Sequence, residues 1–131
     1  MGWRDWNEYG GDISQEIMLS TMYAIAAPFP GTNTSLASLG YRDVGLDDVW
    51  QQCGSYGPLN WTYHDATGSP VVDTARFPNM SALPATAHSL GLTAGFYGEL
   101  WPKKAPARPQ LHALLSHHQP PHACRKQLRL R

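Results

Sequence analysis

The 131-residue sequence predicts an α/β fold with parallel strands. Short segments with the composition of buried strands alternate with segments whose apolar residues recur at helical spacing, and this alternation is typical of strand-helix-strand units. A long stretch rich in Gly, Ser, Thr and Asp follows the second strand. The predicted order is therefore strand, helix, strand, long loop, helix, strand.

The first strand is predicted within the aromatic cluster of residues 1–7. A helix over about residues 13–26 follows, because Asp12 can cap it and Gln15 stands three residues later. Its apolar stripe recurs at helical spacing and consists of Ile13, Ile17, Met18, Met22 and Ile25. These residues are the predicted core face of the first helix.

The second strand is predicted over residues 41–46 and ends at two adjacent carboxylates, Asp47 and Asp48. Residues 52–78 are then predicted to be a long loop with room for a small hairpin, and loops of that length inside a compact domain are usually functional.

The second helix is predicted to open at Pro78 and to stop at Gly91. Pro84 predicts a kink or a late start, because proline cannot donate a hydrogen bond within a helix. The third strand is predicted over residues 93–97, so Tyr97 lies at its carboxyl end.

Charge divides the sequence near residue 101. Residues 1–101 carry three basic and ten acidic residues, whereas residues 102–131 carry seven basic and no acidic ones, with five prolines and four of the six histidines. We therefore predict a folded domain over residues 1–101 and a disordered basic tail, or an out-of-frame segment, over residues 102–131.

The tail raises two further hypotheses, a zinc site and nucleic-acid binding. Its histidines and Cys124 fit no established zinc-finger spacing, and no aromatic residues are interleaved with its basic ones. We therefore predict no metal, no cofactor and no nucleic-acid partner.

The sequence contains no recognisable targeting signal. It has neither an apolar stretch long enough to span a membrane nor the zones of a signal peptide, so no membrane partner is predicted. Three glycosylation acceptors, which begin at Asn33, Asn60 and Asn79, would suit a secreted or lumenal protein.

The paired carboxylates and the tryptophans around them are the residues most suggestive of chemistry. Aromatic faces cover the apolar face of a pyranose, and carboxylates accept hydrogen bonds from its hydroxyls. Because neighbours on a strand point to opposite faces, Asp47 and Asp48 do not suit the two opposed carboxyl groups of a glycosidase. The alternative is that one of them caps the following turn and the other faces water.

A series of motifs across residues 1–98 resembles the α-galactosidases of glycoside hydrolase family 27. The series consists of Gly2-Trp3, Trp6-Asn7, Leu39-Gly40-Tyr41, Leu46-Asp47-Asp48, Trp50-Gln51, Asp73, Arg76-Phe77-Pro78, His88-Ser89, Gly91-Leu92 and Gly95-Phe96-Tyr97. The resemblance implies about three strands and two helices from the N-terminal portion of a (β/α)8 barrel, the fold of retaining enzymes that remove terminal α-linked galactose.

The resemblance also implies site residues. Trp6 would face the galactose ring, Asp47 and Asp48 would bind its 4- and 6-hydroxyls, and Tyr97 would line the same subsite. The partner would be an α-galactoside carried by an oligosaccharide, a glycolipid or a glycoprotein glycan.

The chain departs from the family in three ways. Family members commonly pair two cysteines at the positions of Gly11 and Val49, and Cys53 lacks the partner that some members offer just after the third strand, so we expect a free thiol there. The family's nucleophile follows a fourth strand, so the sequence offers no catalytic residue and we expect an inactive chain. The alternatives are a non-catalytic galactose-binding remnant and a non-functional product of a truncated gene model.

Overall fold

The computed structural model describes residues 1–56 and 58–98. Its elements, in the predicted order, are β1 (Gly2–Arg4), a 3₁₀ helix (Gly10–Asp12), α1 (Gln15–Ala26), β2 (Asp43–Leu46), α2 (Ala82–Ser89) and β3 (Thr93–Phe96). The predicted disorder of residues 102–131 lies outside the described residues, and the domain boundary at residue 101 stays a prediction.

The three strands form one parallel sheet in the order β1-β2-β3. β1 pairs with β2 in a register that places Arg4 opposite Gly45, and β2 pairs with β3 so that Leu46 lies opposite Phe96. The prediction of an α/β fold with parallel strands is confirmed.

Helix α1 begins two residues later than predicted. Its cap is Ser14, whose Oγ accepts a hydrogen bond from the Ile17 N–H at 3.3 Å, while Asp12 ends the 3₁₀ helix. The prediction that Asp12 caps this helix is wrong, because the 3₁₀ turn takes up the residues before Ser14. The stripe is buried as expected at Met18, Met22 and Ile25.

Helix α2 shows the late start that its proline predicts. It begins at Ala82, so Pro84 occupies the first turn, where a missing backbone N–H leaves no intrahelical bond unmade. Leu83 and Ala87 are its buried residues, and the helix packs against α1 and β3.

The chain divides into two compact units, one of which comprises residues 1–50 and 72–98 and contains every helix and strand named above. No helix within the described residues is long and apolar enough to cross a bilayer.

Residues 51–71 belong to the second unit and form most of the predicted long loop. Tyr56 and Trp61 exchange two backbone hydrogen bonds of 2.9 Å each, as in a small hairpin. Asp65 organises the predicted turn by accepting hydrogen bonds from the Thr67 N–H and hydroxyl. Cys53 is disulfide-bonded, so the expectation of a free thiol is wrong.

Candidate functional site

The carboxyl ends of the three strands lie side by side at one edge of the sheet, because parallel strands share a direction. The Asp47 N–H, just past β2, donates to Oδ1 of Asp5, just past β1, at 2.7 Å. The Tyr97 N–H, just past β3, donates to the Leu46 carbonyl at 2.8 Å. The structure thus places the predicted site residues within two positions of adjacent strand ends: Trp6, Asp47, Asp48 and Tyr97.

Asp5, just past β1 at this edge, is a fully buried acid, with 0% of its surface exposed. Its Oδ2 has no hydrogen-bond partner within residues 1–56 and 58–98. Burial raises the pKa of Asp5 above its ordinary value, the Asp47 N–H opposes the rise, and the negative charge of Asp47 adds to it. Asp5 therefore binds the backbone of Asp47 at a position where burial disfavours the charged form of its carboxyl group.

The two predicted binding carboxylates are held by the backbone that follows each of them. Oδ1 of Asp47 accepts from the Asp48 N–H at 2.9 Å, and Oδ1 of Asp48 accepts from the Val49 N–H at 2.7 Å. Both residues are half-buried, and in the described part of the chain Oδ2 of neither accepts a hydrogen bond. Each carboxylate thus combines one anchored oxygen with one that could accept a hydrogen bond from a ligand.

The aromatic residues at this edge divide into exposed and buried members. Trp6 and Tyr97 are 42% and 52% exposed, whereas Trp50 is only 9% exposed. The Trp50 indole N–H donates to the Tyr97 carbonyl, and its ring meets Phe96 edge-on at 6.5 Å between centroids. Trp50 therefore ties the end of β3 to the loop after β2, and the two exposed rings offer surface to a ligand.

Sequence reasoning missed the roles of three buried or half-buried residues near these strand ends. Asp5 has the same signal as Asp47, a carboxylate at the first position past a strand, but its strand is only three residues long and has no apolar run that marks it in the sequence. Arg76 and Asp73 form an ion pair of 3.1 Å, and their spacing of three residues is the signal that could have found it.

No protein-family model matches the chain. An α-galactosidase from Cyamopsis tetragonoloba is 36% identical over 100 residues, which are 76% of this chain and 21% of that protein. A probable α-galactosidase B from Talaromyces emersonii is 33% identical over 98 residues, which are 74% of this chain and 19% of that protein.

Solved structures give the same result. The crystal structure of α-galactosidase I from Mortierella vinacea superposes with a TM-score of 0.59 at 32% identity, over 74% of this chain and 21% of that one. The chain thus spans about a fifth of the length of the relatives it matches. Over about three quarters of its own length, the chain is similar in sequence and in structure to α-galactosidases, and this similarity supports an α-galactosidase-like fragment of glycoside hydrolase family 27.

Proposed function

We propose that the chain provides part of the galactose subsite of an α-galactosidase-like glycoside hydrolase. Its three strands and two helices would be the N-terminal portion of a (β/α)8 barrel, in which active sites form at the carboxyl ends of the strands. The single observation that carries this proposal is the alignment of three strand ends, where the bond from Asp47 to Asp5 joins β2 to β1 and the bond from Tyr97 to Leu46 joins β3 to β2.

Each proposed binding residue has a role suited to a sugar. The free oxygens of Asp47 and Asp48 would accept hydrogen bonds from the 4- and 6-hydroxyls, and a bond to a charged acceptor is stronger than one between neutral groups. Trp6 and Tyr97 would cover apolar parts of the ring with their exposed faces. This arrangement recognises a terminal galactose on an oligosaccharide, a glycolipid or a glycoprotein glycan.

The reaction of the whole enzyme would be hydrolysis of a terminal α-galactoside with retention. Such a mechanism needs two carboxyl groups about 5–5.5 Å apart on either side of the scissile bond, and adjacent residues with anchored oxygens do not meet that need. Because residues 102–131 contain neither Asp nor Glu, we propose that the 131-residue chain binds galactose without turnover.

Binding and hydrolysis by the pure 131-residue chain test this function. We expect galactose to bind more tightly than glucose, its epimer at the 4-hydroxyl, in saturation-transfer NMR, and we expect no hydrolysis of an aryl α-galactoside. Asp47→Asn should weaken galactose binding, while the exposed helix variant Glu16→Gln should not. Equal binding of both sugars would contradict the recognition role, and sustained hydrolysis would contradict the inactive assignment.

We also propose a secreted or lumenal location. Asn33, Asn60 and Asn79 are all exposed, and in the third acceptor the Ser81 hydroxyl donates to Oδ1 of Asn79 at 2.7 Å. In the native cells, glycosidase treatment should raise the electrophoretic mobility of the protein. An unshifted band would argue against this location.

A further inference from the structure

Asp5 connects the ends of β1 and β2 through both its side chain and its backbone. Its Oδ1 accepts the hydrogen bond of 2.7 Å from the Asp47 N–H, past β2. Its carbonyl accepts hydrogen bonds from the N–H groups of Glu8 and Tyr9 at 3.1 and 2.9 Å, and these bonds close a turn over residues 5–9, directly after β1. The exposed Trp6 is the second residue of that turn. Asp5 therefore links the turn that carries Trp6 to the backbone of Asp47.

Asp5 lies outside the motifs that the chain shares with α-galactosidases. Those motifs include Gly2-Trp3 and Trp6-Asn7, and the two residues between them, Arg4 and Asp5, belong to neither. The family resemblance thus implies no role for Asp5. Whatever role it has follows from its contacts within this chain.

The surroundings of Asp5 favour the protonated form of its carboxyl group. The side chain is fully buried, and Oδ2 has no hydrogen-bond partner within residues 1–56 and 58–98. Ionisation would leave a charged oxygen there with neither water nor a donor, whereas a neutral hydroxyl at the same place costs less to bury.

Two charged side chains also act on the Asp5 carboxyl group. The negative charge of Asp47 adds to the cost of ionisation, and the positive charge of Arg4 lessens it. Arg4 is exposed and forms no ion pair in the described part of the chain, and its effect is smaller than that of burial. Burial therefore decides which form of Asp5 the folded chain prefers.

The hydrogen bond from the Asp47 N–H is coupled to this proton. Oδ1 and Oδ2 belong to one rigid carboxyl group, so the bond to Oδ1 exists only while Oδ2 is buried. A negative charge on Asp5 strengthens the bond itself, but the cost of burying that charge is the larger effect. Ionisation therefore favours an arrangement in which Asp5 turns toward water and releases the backbone of Asp47.

We propose that Asp5 is a positioning residue that joins the turn over residues 5–9 to Asp47 and holds Asp47 most firmly while its own carboxyl group is protonated. The sugar-binding part of this role rests on the proposed function, in which Trp6 and Asp47 bind galactose. The positioning part concerns the protein alone, because amide exchange at Asp47 reports the bond to Asp5. Galactose should bind more tightly when Asp5 is protonated than when it is ionised.

The first experiment measures amide hydrogen exchange between about pH 4 and 8 in the full 131-residue chain and in its Asp5→Asn variant. Protection factors remove the intrinsic pH dependence of exchange. As the pH rises, we expect the protection of the wild-type Asp47 amide to fall about fivefold relative to the bonded amides of β2, the size expected for the loss of one hydrogen bond. In Asp5→Asn this ratio should not depend on pH.

Asp12→Asn is the matched control, because it makes the same chemical change at an exposed position. This variant should show the same pH dependence at Asp47 as the wild type. A wild-type ratio that does not change with pH would overturn the proposal, and so would the same fall in Asp5→Asn.

The second experiment needs no variant and therefore does not depend on whether Asp5→Asn folds. In the isotope-labelled wild-type chain, the NMR shift of the Asp5 carboxyl carbon gives the pH at which Asp5 ionises. The shift of the Asp47 amide should include a step at that same pH. If the Asp47 amide shows no such step, the two groups are not coupled and the proposal is overturned.

Galactose binding separates this inference from the proposed function. The dissociation constant for galactose is measured at each pH for the wild type and for Asp5→Asn, and the ratio of the two cancels the titration of groups that both chains share. We expect wild-type binding to weaken about fivefold relative to Asp5→Asn as the pH rises.

The two possible failures give different results. A wild-type chain that ignores galactose, combined with a step at the Asp47 amide, would support the positioning role and contradict the galactose subsite. A chain that binds galactose with a pH-independent ratio and shows no step at the Asp47 amide would support the subsite and contradict the positioning role.

Discussion

β2 and β3 have the same length and direction but different surroundings. Val44, Gly45 and Leu46 of β2 are buried, whereas in β3 only Ala94 is even half-buried. β2 has a paired strand on each side, while β3 pairs with β2 alone within the described residues. A parallel sheet normally has both faces covered, so β2 has the burial typical of such a sheet and β3 does not.

This difference extends to the residues that follow each strand. Past β2, the backbone of Asp47 is bound by buried Asp5 and the backbone of Val49 by Arg76. Past β3, Tyr97 is 52% exposed, although its backbone N–H is bonded to the Leu46 carbonyl. The polar half of the candidate site is therefore preorganised within the described chain, and the aromatic half lies at its surface.

Truncating one large side chain on each strand gives the largest expected difference. Leu46 is 0% exposed, so Leu46→Ala should lower the free energy of unfolding by about 2–5 kcal/mol. Phe96 is 41% exposed and has an edge-on contact with Trp50, so Phe96→Ala should cost about 1 kcal/mol. Urea unfolding monitored by circular dichroism measures both, and equal losses would contradict the contrast between the strands.

A chimeric enzyme tests whether the residues that follow β2 and β3 contribute differently to kcat/KM. In a chimera that joins residues 1–98 to the remaining segments of the Mortierella vinacea relative, Asp47→Asn is expected to weaken the proposed charge-assisted hydrogen bond to the sugar at nearly constant side-chain volume. Loss of about 1.5–3 kcal/mol should lower kcat/KM roughly 10- to 200-fold. Tyr97→Phe, at the exposed strand end, should lower it less. Complete loss of turnover in a folded Asp47→Asn chimera, or no loss, would contradict a binding role.

The sequence predicted the order of elements because each depends on short-range signals. The apolar stripe of α1, the proline in α2 and the apolar run of β2 act locally, and the structure contains each feature they predict. The helix cap was missed because Asp12 and Ser14 are both good capping residues, and only the neighbouring 3₁₀ turn decides between them.

Site residues could be predicted from the sequence only where they directly follow a strand that is itself recognisable. Asp47 and Asp48 follow a recognisable strand, but the anchoring of Asp47 by Asp5 spans 42 positions and that of Gly11 by Arg76 spans 65. Such bonds depend on the register of the sheet and on where the loops cross. No periodicity in the sequence encodes either of them.

Stability as a function of pH should reveal the buried acid. Because the folded-state pKa of Asp5 lies above the ordinary value of 3.8, the folded chain binds this proton more tightly than the unfolded chain. The wild-type free energy of unfolding should therefore fall as the pH rises from about 3.8 through the folded-state pKa, and then level off. Asp5→Asn keeps an oxygen that can accept the hydrogen bond from the Asp47 N–H, but its side chain does not titrate, so this fall in the free energy of unfolding should be absent.

Urea unfolding between pH 3 and 8 measures the effect of Asp5→Asn, with the exposed-site variant Asp12→Asn as the control. The Asp5→Asn chain should gain stability relative to wild type as the pH rises through the window, whereas the control should not. Parallel curves for wild type and Asp5→Asn would show that the buried carboxyl has no raised pKa.

The smallest expected effect on stability lies at the amino ends of β2 and β3, where Asp43 and Thr93 are exposed to solvent. The Thr93 hydroxyl donates to Asp43 Oδ1 at 2.5 Å and is the main cause of the lowered pKa of that exposed carboxyl, with the Met1 amino group 3.6 Å from Oδ2 as a lesser cause. A lowered pKa stabilises the fold above the unfolded value of 3.8, and this contribution is lost as the pH falls through the folded-state value.

Thr93→Val should raise the pKa of Asp43 toward 3.8 in an NMR titration and change the urea midpoint at pH 7 only slightly, because water and salt weaken exposed contacts. Ser89→Ala removes another exposed hydroxyl and should leave Asp43 unchanged. If the pKa of Asp43 does not move in Thr93→Val, the amino group of Met1 rather than the β3 side chain governs this carboxyl, and β3 contributes to β2 only through its backbone at this end.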